Sequence, residues 1–110
     1  MIPDRIRERY LRDPLDRRLG GLAADLARIA SSSRNPKNHD AVAYLLDEGK
    51  HFAEWTVPGA PVETQAVLAE IQLELALWER AWHRGEMAIE MQERAERRSE
   101  ELLKLAGLVP

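Results

Sequence analysis

The stretch Glu63–Arg84 limits the possible folds more than any other part of the chain. Its apolar residues Leu68, Ile71, Leu75, Trp78 and Trp82 recur at gaps of three and four. That spacing draws one continuous apolar stripe along an α-helix. Two of the three tryptophans lie on the stripe, so it presents a large face that other helices must cover. The expectation is a central helix in a small bundle.

Four further segments read as helices. The first opens at Pro3-Asp4 and runs to about Asp13, with Ile2, Ile6, Tyr10 and Leu11 on its inner edge. Asp13-Pro14 breaks it, because a residue before proline avoids the α region. The second starts at Asp13 or Pro14 and ends near Ser31, with Leu15, Leu19, Leu22, Leu26 and Ile29 inward. Gly20-Gly21 inside that pattern predicts close approach of another helix, ahead of a kink or a ligand contact, since each glycine costs on the order of 1 kcal/mol relative to alanine. The third begins at Asn35-Pro36, or later if Asn38 or Asp40 is the cap, and runs to about Thr56. Its stripe is read as Val42, Leu45, Leu46, Phe52 and Trp55, with Gly49 on the same face.

The run Val57-Pro58-Gly59-Ala60-Pro61 ends the third helix, and Pro61 opens the central one. Gly85 is the expected left-handed cap of the central helix. The last helix spans about Glu86 to Ala106, with Ala88, Met91, Ala95, Leu102 and Ala106 inward and a Gly107-Leu108 ending. The expected fold is all-α: an up-down bundle of four main helices with a short N-terminal helix, one domain over residues 1–110.

Composition narrows the function. The 110 residues carry a formal charge of −3, with 45% apolar and 32% charged side chains and no cysteine. Disulfides and thiolate metal sites are excluded. No apolar run approaches a membrane span, so no membrane partner is expected. A reducing, cytoplasmic setting is expected. Nucleic acid is not an expected partner, because the chain has no basic excess overall. Positive charge does gather at the start, where six arginines between Met1 and Arg18 face four acids. That segment is read as a solvated face ahead of a phosphate-binding patch.

Two short patterns carry possible chemistry. Glu48-x-x-His51 has the i, i+3 spacing of di-iron bundle ligands. A complete site needs a second such motif and further carboxylates, and at 100° per residue His51 falls about 140° from the stripe centre. The metal reading of Glu48 and His51 is therefore ranked low, and no cofactor is expected.

The other pattern is Arg34-Asn35-Pro36-Lys37-Asn38-His39. This Arg-x4-His with Asn after the Arg resembles the ribonuclease motif of HEPN-type helical domains. The resemblance covers six residues. It implies a dimeric, metal-independent ribonuclease in which His39 is acid or base at the ribose 2′-hydroxyl and Arg34 stabilises phosphate charge. The chain departs from the family at Pro36, at the polar Lys37 and Asn38 before the His, and at Ala41, where the family often has Tyr.

The favoured reading is non-catalytic: a bundle that offers a surface to a protein partner or, as a homodimer, to itself. Leu73, Leu77, Met87 and Ile89 lie off the main stripes and are the interface candidates. The ribonuclease of Arg34 and His39 is the alternative. A third reading is an engineered scaffold or a redesigned C-terminal helix, because Glu90–Gly107 is rich in strong helix formers. Trp55, Trp78 and Trp82 are read as core first, and as the wall of an apolar pocket second.

Overall fold

The computed structural model describes residues 3–86 and 89–110. The expectations at Ile2, Met87 and Ala88 lie outside the described residues. Five α-helices are described: α1 (Asp4–Arg12), α2 (Leu15–Ser32), α3 (His39–Thr56), α4 (Val62–His83) and α5 (Ile89–Leu105). Short 3-10 turns occupy Pro36–Asn38 and Val57–Gly59. The chain is an all-α bundle.

Local chemistry sets the boundaries. Asp13 and Pro14 are extended, with ψ of 147° and 163°, so α1 and α2 are separate helices. At the other end of α2 the start of α3 moves later than Asn35-Pro36. The Asn35 side chain accepts from Lys37 N–H at 3.0 Å and caps the 3-10 turn. Asn38 stands at the start of α3 but spends its amide on Ser32 O at 3.1 Å, closing the end of α2. Both late helices stop at a left-handed glycine, Gly85 at φ 75° and Gly107 at φ 72°. Glu86 N–H donates to Ala81 O and Leu108 N–H to Leu103 O, the six-to-one bond that such an ending requires.

Neighbouring helices run antiparallel. Ser99 of α5 meets Ala23 of α2, while Leu108, just past the end of α5, meets Gly20 earlier in α2. Lys50 of α3 pairs with Glu79 of α4 at 2.8 Å. The core is a single cluster that includes Leu19, Leu22, Leu26 and Ile29 with Val42, Leu46, Leu68, Ile71, Leu75 and Leu102. Gly49 sits at its tightest point, where an added Cβ would stand 3.3 Å from Leu75 Cδ1 and 3.7 Å from Leu22 Cδ1. A Cβ at Gly20 would come within 3.0 Å of Leu108 Cδ1, so Gly20 marks close approach of the segment after α5 and not of a helix, while a Cβ at Gly21 would meet only Tyr10 at 3.9 Å.

The face of α3 differs from the expected stripe. Its buried line is Val42, Leu46, Gly49, Ala53 and Thr56. Leu45, Phe52 and Trp55 lie to one side and only partly buried. Phe52 and Trp55 face α1 instead of the bundle centre: Tyr10 stacks on Phe52 at 4.0 Å, with Trp55 at 6.0 Å. Small side chains take the centre because α2 and α4 come close to α3 there.

The backbones of α4 and α5 scarcely meet. Side chains bridge their seam. Arg98, only 12% exposed, bonds Glu74 at 2.6 Å, Glu101 at 2.8 Å and Glu70 at 2.9 Å. Arg94 takes the other Glu74 oxygen at 2.8 Å. Arg98 and Ser99, which interrupt the apolar line of the last helix, are thus both used. Ser99 is buried and donates to Ala23 O at 2.7 Å. Arg98→Ala is expected to cost about 1–3 kcal/mol, read from the urea midpoint, because it leaves a half-buried carboxylate cluster short of its cation. Arg98→Lys restores only part of this, since one ammonium lacks the fork that spans three carboxylates.

Candidate functional site

The inner face of α4 is spent on the core through Thr64, Leu68, Ile71, Leu75 and Trp82. At 100° per residue the opposite face carries Val62, Ala66, Ala69, Leu73, Leu77 and Arg80. Val62 is 76% exposed, Leu73 62% and Leu77 54%. Ala66 and Ala69 are exposed between them. From Val62 to Leu77 this outer stripe extends about 22 Å along the helix. It is graded: after Val62, the small alanines Ala66 and Ala69 come first and the leucines follow. Exposed Glu63 stands at one end and exposed Arg80 at the other.

Leu73 and Leu77 of the sequence-derived interface set therefore share one face. Val62, Ala66 and Ala69 complete it and were not anticipated. Their signal was present as a second three- and four-residue spacing on the same helix. Ile89, 72% exposed, opens α5. Met87 lies outside the described residues.

The other candidates are placed as follows. Arg34 lines a hollow between α2 and α5 with Ala27, Glu96 and Ser99. His39 stacks on Trp82 at 5.1 Å and lines a different hollow with Pro36 and Gly85. The Trp82 indole donates to His39 O at 2.9 Å, fixing the start of α3 against the end of α4. Trp55 lies sixteen residues further along α3, about 24 Å away along the axis, so the tryptophans do not enclose a common pocket.

Glu48 and His51 take different partners. His51 Nδ1 lies 2.8 Å from Asp47 O, and its ring packs against Trp55 at 5.5 Å. Glu48 turns to Tyr44 and to Asp25 of α2. Among the described residues no group of three or more His, Asp or Glu side chains is arranged to hold a metal. No described helix is long and apolar enough to cross a membrane.

Asp25 is the charged residue that sequence reasoning missed. It is 2% exposed beside Leu22 and Leu26. Oδ1 lies 3.5 Å from the exposed Arg28 guanidinium, and Oδ2 meets no donor among the described residues. Burial pushes its carboxyl up to about 8, with the Glu48 carboxyl adding to the rise and Arg28 opposing it. Two acids side by side in an apolar wall satisfy each other when they share one proton. The bond to Glu48 also holds the Tyr44 hydroxyl above its ordinary range.

Comparison of the chain with family models, with curated proteins and with solved structures returns no match.

Proposed function

We propose that the chain is a non-catalytic helical bundle that self-associates through the outer face of α4, two copies lying antiparallel. The observation that carries this reading is the grading of the stripe. Antiparallel pairing lays Leu77 of one copy over Ala66 of the other, and Leu73 over Ala69. It also brings the Val62-Glu63 end of each copy beside the Arg80 end of the other, with Glu63 on the shoulder of the stripe. Parallel pairing would set leucine on leucine, alanine on alanine and Glu63 on Glu63. Large side chains over small ones, with complementary ends, are what a two-fold interface needs.

The test is solution mass by light scattering. The wild type is expected at twice the chain mass. Leu73→Glu and Leu77→Glu are expected to return it to one chain while leaving the circular dichroism unchanged, because both positions are exposed. Glu63→Arg and Arg80→Glu should each weaken the dimer, and the two together should restore it. A wild type that remains a single chain at high micromolar concentration removes the proposal. A dimer indifferent to all four substitutions removes this face.

A further inference from the structure

A hollow of about 470 Å³ lies where α1, the start of α2 and the end of α3 converge. Arg7, Arg18, Glu54, Trp55 and Gly59 are among its lining residues. None of its lining residues belongs to the outer stripe of α4, and it gives a use to the arginine-rich start of the chain.

Arg18 is the unusual member. Its Nε is buried and meets no acceptor among the described residues. Its two Nη atoms lie against the turn at Gly59, where an added Cβ would stand 3.1 Å from Nη2 and 3.6 Å from Nη1. Gly59 thus leaves room for the guanidinium. The backbone of Arg18 is fixed as well, since the buried Tyr10 hydroxyl lies 2.9 Å from Arg18 O. Arg7 enters from α1, its Cζ 5.9 Å above the Trp55 ring. Neither guanidinium forms an ion pair among the described residues. Glu54 also lines the hollow but is exposed and pairs with neither.

Among the described residues the other partly buried cations have been given an acid. Lys50 has Glu79, and Arg98 has three glutamates. The buried Nε edge of Arg18 faces protein, so its two Nη atoms are the donors within reach of the hollow, and a planar fork of N–H donors of this kind fits an oxyanion held by two parallel bonds. Two such forks from different helices converge here beside one indole. We propose that this hollow binds a small organic oxyanion, a phosphate or carboxylate head held by Arg18 and Arg7 with an apolar ring or chain lying on Trp55. Its volume suits a small molecule.

Arginine side-chain NMR on the full chain tests it, with phenyl phosphate, benzoate, inorganic phosphate and acetate as probes. The guanidinium Nη–H signals of Arg18 and Arg7 are expected to move saturably with the two ring-bearing probes, and more weakly with the two that lack a ring. Whichever aromatic probe binds tighter identifies the head group. Arg18→Gln is expected to weaken binding roughly tenfold or more. If Arg18→Gln disturbs the fold, Arg7→Gln at an exposed position gives the reading instead, with a loss in the same direction. Unsaturable shifts, or binding unchanged in the folded variant, overturn the site. So does an equal loss in Arg12→Gln, an exposed arginine of α1 outside this hollow, which would reduce the effect to net charge.

Discussion

Asp25→Asn is expected to stabilise the protein in alkaline solution and to flatten its dependence on pH. The folded state holds the Asp25 proton far more tightly than an unfolded chain does, because ionisation would place a charge in an apolar wall beside Glu48. A carboxyl raised in this way contributes stability that is fully present below the unfolded value of 3.8 and is lost as pH rises through the folded value of about 8. Wild-type stability should therefore fall between those limits and level off above them. Asparagine has nearly the same shape, never ionises, and offers Glu48 an N–H where the acid offered an O–H. The variant should gain on the wild type as pH rises from 5 to 9, by up to about 4 kcal/mol at ~1.4 kcal/mol per pH unit up to the folded value. Urea unfolding across that range measures the difference. Parallel curves for the two proteins would mean that Asp25 does not carry the proton.

That residue also shows where the sequence stops being informative. The inner stripe of α4 is legible because its period alone decides which side is covered. Gly85 and Gly107 are legible as helix ends because the left-handed conformation at those positions favours glycine. Asp25 is different. A carboxylate on an apolar line is tolerable only with a partner, and the partner stands on the next helix, 23 residues away, where no local pattern points to it. The stripe of α3 was right at Val42, Leu46 and Gly49 and wrong at Leu45, Phe52 and Trp55, for another reason. Phe52 and Trp55 are its bulkiest residues and drew the face toward themselves, yet the closest helix approach selects Gly49, Ala53 and Thr56. Size marks where area is buried, and angular position marks what it is buried against.

The candidate interface was half legible. Leu73 and Leu77 stood out as large apolar residues off the core line. Ala66 and Ala69 did not, since alanine is common on any helix surface. Only with the core face fixed does the remainder of α4 resolve into one graded stripe. The Arg18 hollow was less accessible still. Six arginines near the start read as one charged segment, and only the burial of a single guanidinium edge separates Arg18 from Arg12 or Arg17.

Tyr10→Ala is expected to produce the largest loss of any change in α1, about 3–5 kcal/mol. Tyr10 is the one buried residue described in that helix. Its ring stacks on Phe52 with an interplanar angle of 10°, and its hydroxyl lies 2.6 Å from Thr56 Oγ1. Thr56 Oγ1 in turn lies 2.7 Å from Phe52 O, and Tyr10 Oη lies 2.9 Å from Arg18 O. Two hydroxyl protons serve three contacts, so one proton joins the hydroxyls and the other goes to one of the two carbonyls. Burial pushes the phenol up to about 12, against the opposing bond from Thr56, so it keeps its proton across the working range. Tyr10→Phe retains the stack and loses the hydroxyl chain, for a cost of about 1–2 kcal/mol. Backbone amide exchange separates the two contributions. In Tyr10→Ala the amides of α1 should lose protection while those of α4 keep theirs, because the core proper lies among α2 to α5. The same variant should lose oxyanion binding, since Arg7 would no longer be held over Trp55. Tyr10→Phe should keep both the protection and the binding in large part. If the phenylalanine variant instead loses as much as the alanine variant, the hydroxyl chain and not the aromatic stack is what fastens α1 to the bundle.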